Sequence, residues 1–96
     1  MRDPRDFYVI AYDIADDGRR ARLANALENF GPRIQRSLFE CSLTQPLLKR
    51  VRDKIREIVE PEKDCVRIYQ LCDRCLHSIE AIGGAPPPSE DKFVII

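Results

Sequence analysis

The chain has 96 residues, 44% of them hydrophobic and 33% charged, with 16 basic and 16 acidic side chains and a formal net charge of zero. That length allows one core and not two, a neutral balance excludes steering of the whole molecule to nucleic acid by its net charge, and no apolar run approaches the ~18 residues of a spanning helix. The opening Met1–Asp6 is charged and the apolar run behind it is short, so no leader pattern is read and the expectation is a cytoplasmic protein without a membrane partner.

The first element is the run Phe7-Tyr8-Val9-Ile10-Ala11-Tyr12 leading into Asp13. It has no helical period and is rich in β-branched and aromatic residues, which predicts a strand over 7–13. Phe7, Val9, Ala11 and Asp13 fall on one side and Tyr8, Ile10 and Tyr12 on the other. Both sides are apolar, so both should be covered, as in a central strand. A helix is predicted over 17–30, with Asp16 or Asp17 as its cap. Leu23, Leu27 and Phe30 form its buried stripe, and Arg19, Arg22 and Glu28 face outward. Gly31 is expected to end it in the left-handed conformation, with Pro32 preventing continuation.

Residues 33–43 read as extended, but the apolar phase changes: Ile34 and Leu38 share one parity, Phe39, Cys41 and Leu43 the other. A one-residue slip turns every side chain to the opposite face. A break near Ser37–Phe39 is therefore expected, giving two short strands. A second helix spans 45–60, capped by Thr44 or Gln45, with Pro46 in its first turn, Leu48, Val51, Ile55, Ile58 and Val59 as its stripe and Pro61 as its stop. Residues 65–71 form another strand, Cys72–Cys75 a turn, and 76–82 a further short strand. Gly83-Gly84-Ala85-Pro86-Pro87-Pro88 reads as a linker and Phe93-Val94-Ile95-Ile96 as a terminal strand in need of a sheet edge.

The order is strand, helix, strand, strand, helix, strand. This is the α+β, ferredoxin-like βαββαβ arrangement: an antiparallel sheet with two helices on one face and an extra C-terminal strand. Residues 1–82 are expected to form the ferredoxin-like domain, and 83–96 the linker and strand, placed at a dimer interface. The open sheet face is assigned to Tyr8, Ile10 and Tyr12 and should be covered by a second copy or by the tail.

Charge is unevenly spread. Between Arg19 and Arg36, five arginines face one acid, Glu28, a local balance of +4; arginine outnumbers lysine twelve to four. Arginine's planar fork binds phosphate with two hydrogen bonds where lysine offers a point charge. A carboxylate at a strand end followed by an arginine-rich helix start can hold a metal ion and a phosphate together; equally, Asp13 can open a turn and the arginines can form a solvated, ion-paired surface.

Three segments in order, Tyr12-Asp13-Ile14 with the arginines behind it, Gln35-Arg36-Ser37-Leu38-Phe39-Glu40-Cys41, and Val66-Arg67-Ile68-Tyr69-Gln70-Leu71-Cys72, resemble the CRISPR-associated endonuclease family, the smaller of the two universal spacer-acquisition proteins. The resemblance covers residues 7–82. It implies a ferredoxin-like homodimer with metal-dependent phosphodiesterase activity on RNA or DNA, using Mg2+ with Mn2+ as a possible substitute. It also implies a role bridging subunits of the CRISPR integrase protein on DNA. Asp13 falls on the family's metal-binding aspartate, and Arg20, Arg22, Arg33 and Phe39 fall on positions tied to nuclease activity. Arg36 departs from the family pattern by adding a positive charge.

One aspartate is a sparse site for magnesium, which takes oxygen ligands and keeps several waters. A two-fold dimer would bring a second Asp13 to face the first. Arg20, Arg22 and Arg33 would hold phosphates; Phe39 would stack on a base or fill the core. The alternative function is a non-catalytic dimeric DNA-binding scaffold. Outside the resemblance stands a small-ligand or regulatory ferredoxin-like domain. Cys72-x-x-Cys75 lacks a second close pair for zinc and reads as two thiols in a turn, with a labile disulfide as the other reading. His77 reads as a surface or interface residue.

Overall fold

The computed structural model describes residues 4–83. Seven elements follow in order: β1 (Asp6–Asp13), α1 (Asp17–Leu27), β2 (Arg33–Gln35), β3 (Leu38–Leu43), α2 (Gln45–Ile58), β4 (Cys65–Leu71) and α3 (Asp73–His77). The sheet order is β2-β3-β1-β4, with β1 antiparallel to both neighbours. This is the ferredoxin-like topology. The terminal strand expected at 93–96, and with it the boundary of a tail unit, lies outside the described residues.

Local chemistry explains most of the boundaries. The Asp16 carboxylate accepts the Arg19 N–H at 2.8 Å and opens α1. Thr44 accepts the Leu47 N–H at 3.4 Å and opens α2, with proline in the first turn. The phase change in 33–43 is a real break: β2 and β3 are separated at Arg36–Ser37, and their pairing shifts register between Arg33 and Gln35.

Tyr8, Ile10 and Tyr12 of β1, Phe39, Cys41 and Leu43 of β3, Leu23, Ala24 and Leu27 of α1, and Leu48, Val51 and Ile55 of α2 form one buried layer, with Val66 and Ile68 of β4 packed against it. Ile10, Leu23, Leu27 and Val51 are fully buried. Each such side chain contributes about 1.5–3 kcal/mol, so the helices are held by this layer more than by their own propensity. The two buried tyrosines reach partners at opposite ends of the strand: Tyr8 Oη accepts from Gln45 Nε2 at 3.3 Å, and Tyr12 Oη donates to the Arg36 carbonyl at 3.1 Å.

Four expectations are corrected. Tyr8, Ile10 and Tyr12 face the helices; the open face carries Val9, Ala11 and Asp13, beside Leu38 and Glu40 of β3 and Cys65, Arg67, Tyr69 and Leu71 of β4. Both parities of β1 are apolar, and the larger set fills the inter-layer volume. Gly31 does not adopt a positive φ; of the described residues only Gly83 does. Gly31 is needed because a Cβ there would run into the Glu40 carbonyl oxygen and Cys41. Residues 76–82 form no strand: Asp73–His77 is a short helix packed on β4, with Leu76 buried beneath it and His77 exposed in its last turn. Arg19 does not face outward, as described next.

Candidate nucleic-acid interface

β1 ends at Asp13, and two segments close around that end. The β2–β3 turn docks through the Tyr12 N–H, which donates to the Ser37 carbonyl at 3.1 Å, and through the Tyr12 hydroxyl on the Arg36 carbonyl. Arg33 donates to the same carbonyl from Nε and Nη2 at 3.1 and 2.6 Å. Burial raises the Tyr12 phenol above its ordinary value against the opposing pull of Arg33 and Arg20, so it remains a neutral donor at physiological pH. From the other side, Arg20 of α1 donates from Nε and Nη2 to the Ile14 carbonyl at 3.3 and 2.9 Å and from Nη1 to Asp17 at 2.6 Å.

The result is a groove of about 580 Å³ lined by Asp13, Asp17, Arg20, Arg33, Arg36 and Ser37, among others. Three guanidiniums meet two carboxylates there. Arg20 and Arg33 are pinned by backbone carbonyls, which orients them while leaving N–H donors unused. The side chains of Asp13 and Arg36 make no hydrogen bond or ion pair among the described residues and are exposed.

Of the residues expected at the site, Asp13, Arg20 and Arg33 come together. Arg22 is exposed on α1 but outside the groove lining. Phe39 is fully buried, its ring centroid 6.2 Å from that of Tyr12 in a stacked pair; as placed, it supports the groove wall and offers no face to a base. Among the described residues no group of three or more acidic, histidine or cysteine side chains could hold a metal ion. Asp17 is engaged by Arg20, so within the groove one chain offers a divalent cation a single unengaged carboxylate, Asp13. That donor fits magnesium only when waters, phosphate oxygens or a second copy complete the oxygen shell.

The sequence reading missed Asp64. Its side chain is fully buried and accepts from Arg19 Nε and Nη2 at 2.8 and 3.1 Å, from the Ala15 N–H at 3.0 Å and from the Glu60 N–H at 2.8 Å. The Arg19 guanidinium first, then the two backbone N–H groups, hold its carboxyl far below the usual carboxylate range. This one side chain ties the β1–α1 loop, α1 and the loop entering β4 to each other, and so fixes the segment that carries Asp13 to Arg20. In the sequence, Asp64 sits in an acid-rich stretch with no periodicity to distinguish it. Arg36 was visible as an added charge, but only the docked turn brings it to Asp13.

A ferredoxin-like sheet whose central strand ends in a groove lined by three arginines and two aspartates defines a small α+β domain. The model of the family described as CRISPR associated protein Cas2 matches residues 6–79, and the chain belongs to that family. A relative from Chloroflexus aurantiacus named CRISPR-associated endoribonuclease Cas2 1 is 44% identical over 92 residues, covering 93% of this chain and 99% of its own. The crystal structure of a hypothetical protein, TT1823 from Thermus thermophilus, superposes with a TM-score of 0.78 at 39% identity, covering 88% of this chain and 99% of that one. A chain from a partial Cas6-RT-Cas1–Cas2 complex superposes at 0.69 with 33% identity, covering 84% and 94%.

Proposed function

We propose that this chain acts in CRISPR adaptation as a dimeric, metal-dependent endonuclease that holds the phosphate backbone of RNA or DNA in the groove at the end of β1. The observation that carries this reading is an unengaged, exposed Asp13 among the oriented guanidiniums of Arg20 and Arg33 and the free one of Arg36. Phosphate contacts of this kind position a nucleic acid without reading its sequence. Arg22, exposed one turn along α1, extends the cationic surface toward a longer strand. Asp13 would hold Mg2+, with Mn2+ as a substitute, and the ion when bound would lower the pKa of a water and neutralise charge on the phosphate oxygens. The side chains of the chain itself hold the phosphate, keep the scissile group beside Asp13 and stabilise developing negative charge through the arginine N–H groups.

The open face of the sheet supports pairing with a second copy. Its centre is the cross-strand row Glu40, Val9 and Tyr69, with Tyr69 46% exposed and Leu38, Ala11 and Leu71 alongside. A second copy seated there would bring its own Asp13 toward this one. The integrase is the second protein partner, in keeping with the assembly of the similar chain. None of the described helices is long and apolar enough to cross a membrane, and the cytoplasm, where invading DNA arrives, suits the proposed role.

The test is Asp13→Asn, assayed in parallel for cleavage and for spacer acquisition, with circular dichroism and thermal melting as folding controls. Cleavage should fall by at least about a hundredfold, the scale on which removal of a charge-stabilising group acts, and a chelator should abolish cleavage by the unmodified protein. Unchanged cleavage by the folded variant overturns the catalytic reading. A second reading, a non-catalytic scaffold between integrase subunits, is favoured by the absence of a three-ligand metal cluster among the described residues. It predicts that Asp13→Asn acquires spacers normally, whereas Arg33→Glu with Arg36→Glu does not. Failure to bind any nucleic acid at low salt would instead favour a small-ligand or regulatory role.

A further inference from the structure

At the end of the sheet remote from Asp13, two cysteines meet. β4 begins at Cys65, opposite Asp13, and finishes at Leu71, opposite Phe7; Cys72 follows at once. Cys72 occupies the cap position of α3 in extended backbone, with φ −73° and ψ 169°, and Cys75 lies in the first turn of that helix. The extended residue swings its side chain back over the turn, and the two sulfurs stand 3.4 Å apart. Both residues are exposed and both thiols are free. A disulfide needs about 2.0 Å between sulfurs, so the remaining gap of about 1.4 Å closes by side-chain rotation in a pair of surface residues.

The other two cysteines lack this arrangement. Cys41 is buried in the core, and burial pushes its thiol up to about 12, which leaves it inert. Cys65 is exposed, but no second sulfur faces it. Within the pair the two thiols differ. The Cys75 N–H and the Cys75 thiol draw Cys72 below its ordinary value, while the neighbouring Cys72 sulfur raises Cys75. The two shifts run in the direction that attack by Cys72 and resolution by Cys75 would need.

We propose that Cys72 and Cys75 form a reversible dithiol–disulfide site that reacts with low-molecular-weight disulfides, Cys72 attacking first. The Cys72 thiolate attacks one sulfur of RS–SR, forming a mixed disulfide and releasing RS⁻. The Cys75 thiol then loses its proton and attacks the Cys72 sulfur, expelling the second RS⁻. Two protein thiols are oxidised to one disulfide, and one external disulfide is reduced to two thiols. The bond ties the end of β4 to the first turn of α3, the helix that buries Leu76. The site is separate from the groove and does not depend on the nucleic-acid reading.

The experiment equilibrates the reduced chain with glutathione and glutathione disulfide at stepped ratios, quenches in acid, alkylates, and locates the modifications by peptide mass. Cys72 and Cys75 should lose alkylation together as a joined pair without retained glutathione, while Cys65, also exposed, stays alkylatable or carries only glutathione. Cys75→Ser should trap glutathione on Cys72, and Cys72→Ser should react more slowly at Cys75. Amide exchange of residues 74–78 should slow on oxidation. Retained glutathione on Cys72 of the unmodified chain, linkage between copies through Cys72, or alkylatable Cys72 and Cys75 where Cys65 is already glutathionylated would each overturn the proposal. Unchanged amide exchange in the oxidised chain would overturn the tie to α3.

Discussion

The two faces of β1 are built from alternate residues of one eight-residue strand and do opposite things. Tyr8, Ile10 and Tyr12 are buried against two helices, and the polar tips of the tyrosines find partners at the two ends. Val9 and Ala11 on the other face are only half-covered, and Asp13 is exposed. The covered face is satisfied within one chain; the open face is buried at Phe7, half-covered and apolar at its centre, and charged and exposed at the Asp13 end. Stability is concentrated on the first face, and the proposed pairing and chemistry on the second.

The sharpest way to break that contrast is to remove an aromatic ring from each face. Phe39→Ala should cost about 3–5 kcal/mol in urea denaturation, because a fully buried ring leaves a cavity. Tyr69→Ala should cost less than about 1 kcal/mol at low protein concentration, because the ring is half-exposed. A loss that grows with protein concentration for Tyr69→Ala alone would show that a second copy covers the open face.

The next effect is on the loop behind Asp13. Asp64→Ala strips the Arg19 guanidinium and the Ala15 and Glu60 N–H groups of their acceptor, and a fall in melting temperature larger than that of any exposed-charge variant should follow. The sign of the pH dependence is set by a folded-state pKa held below the unfolded value of about 3.8. The contribution is present above that value and is lost as pH falls below about 4. Asp64→Asn should flatten this acid limb, whereas Asp13→Asn should leave it in place.

The smallest effect concerns Glu40, in the middle of the open face, where burial raises the carboxyl above its ordinary 4.5. The folded state then holds the proton more tightly than the unfolded one, so stability falls as pH rises from the unfolded value through the folded one. Glu40→Gln should melt slightly above the unmodified protein at pH 7 and match it near pH 4. Equal melting curves at both values would mean that this part of the face is already well hydrated.

Much of the fold was legible because it is written in local chemistry. Capping residues at Asp16 and Thr44 and the apolar phase change after Ile34 mark where elements start and break whatever surrounds them, whereas α1 ends at Leu27, short of the stop expected at Gly31 and Pro32. The segment after Cys72 was misread because a five-residue helix carries too few turns for a period to emerge, and its placement depends on β4. Within the candidate site, Asp13 stood out as a strand-end carboxylate and Arg20 and Arg33 as nearby cations. Arg36 entered the site only because the Tyr12 hydroxyl and N–H hold the turn against the strand end. Whether Phe39 stacks on a base or fills the core stayed open because one sequence cannot distinguish an aromatic on the covered parity from one on the open parity; the structure puts it in the core.

The amino-acid order by itself determined the succession of elements, the single core and the family, since periodicity, caps and ordered motifs are properties of short stretches. Tertiary structure alone decided which side of β1 is inside, since both sides are apolar and only the volume between sheet and helices selects the larger set. It also decided that Asp64 reaches Arg19 across 45 residues and that Asp13 stands unengaged among three arginines. Those are distances between segments far apart in the chain, and no local pattern encodes them.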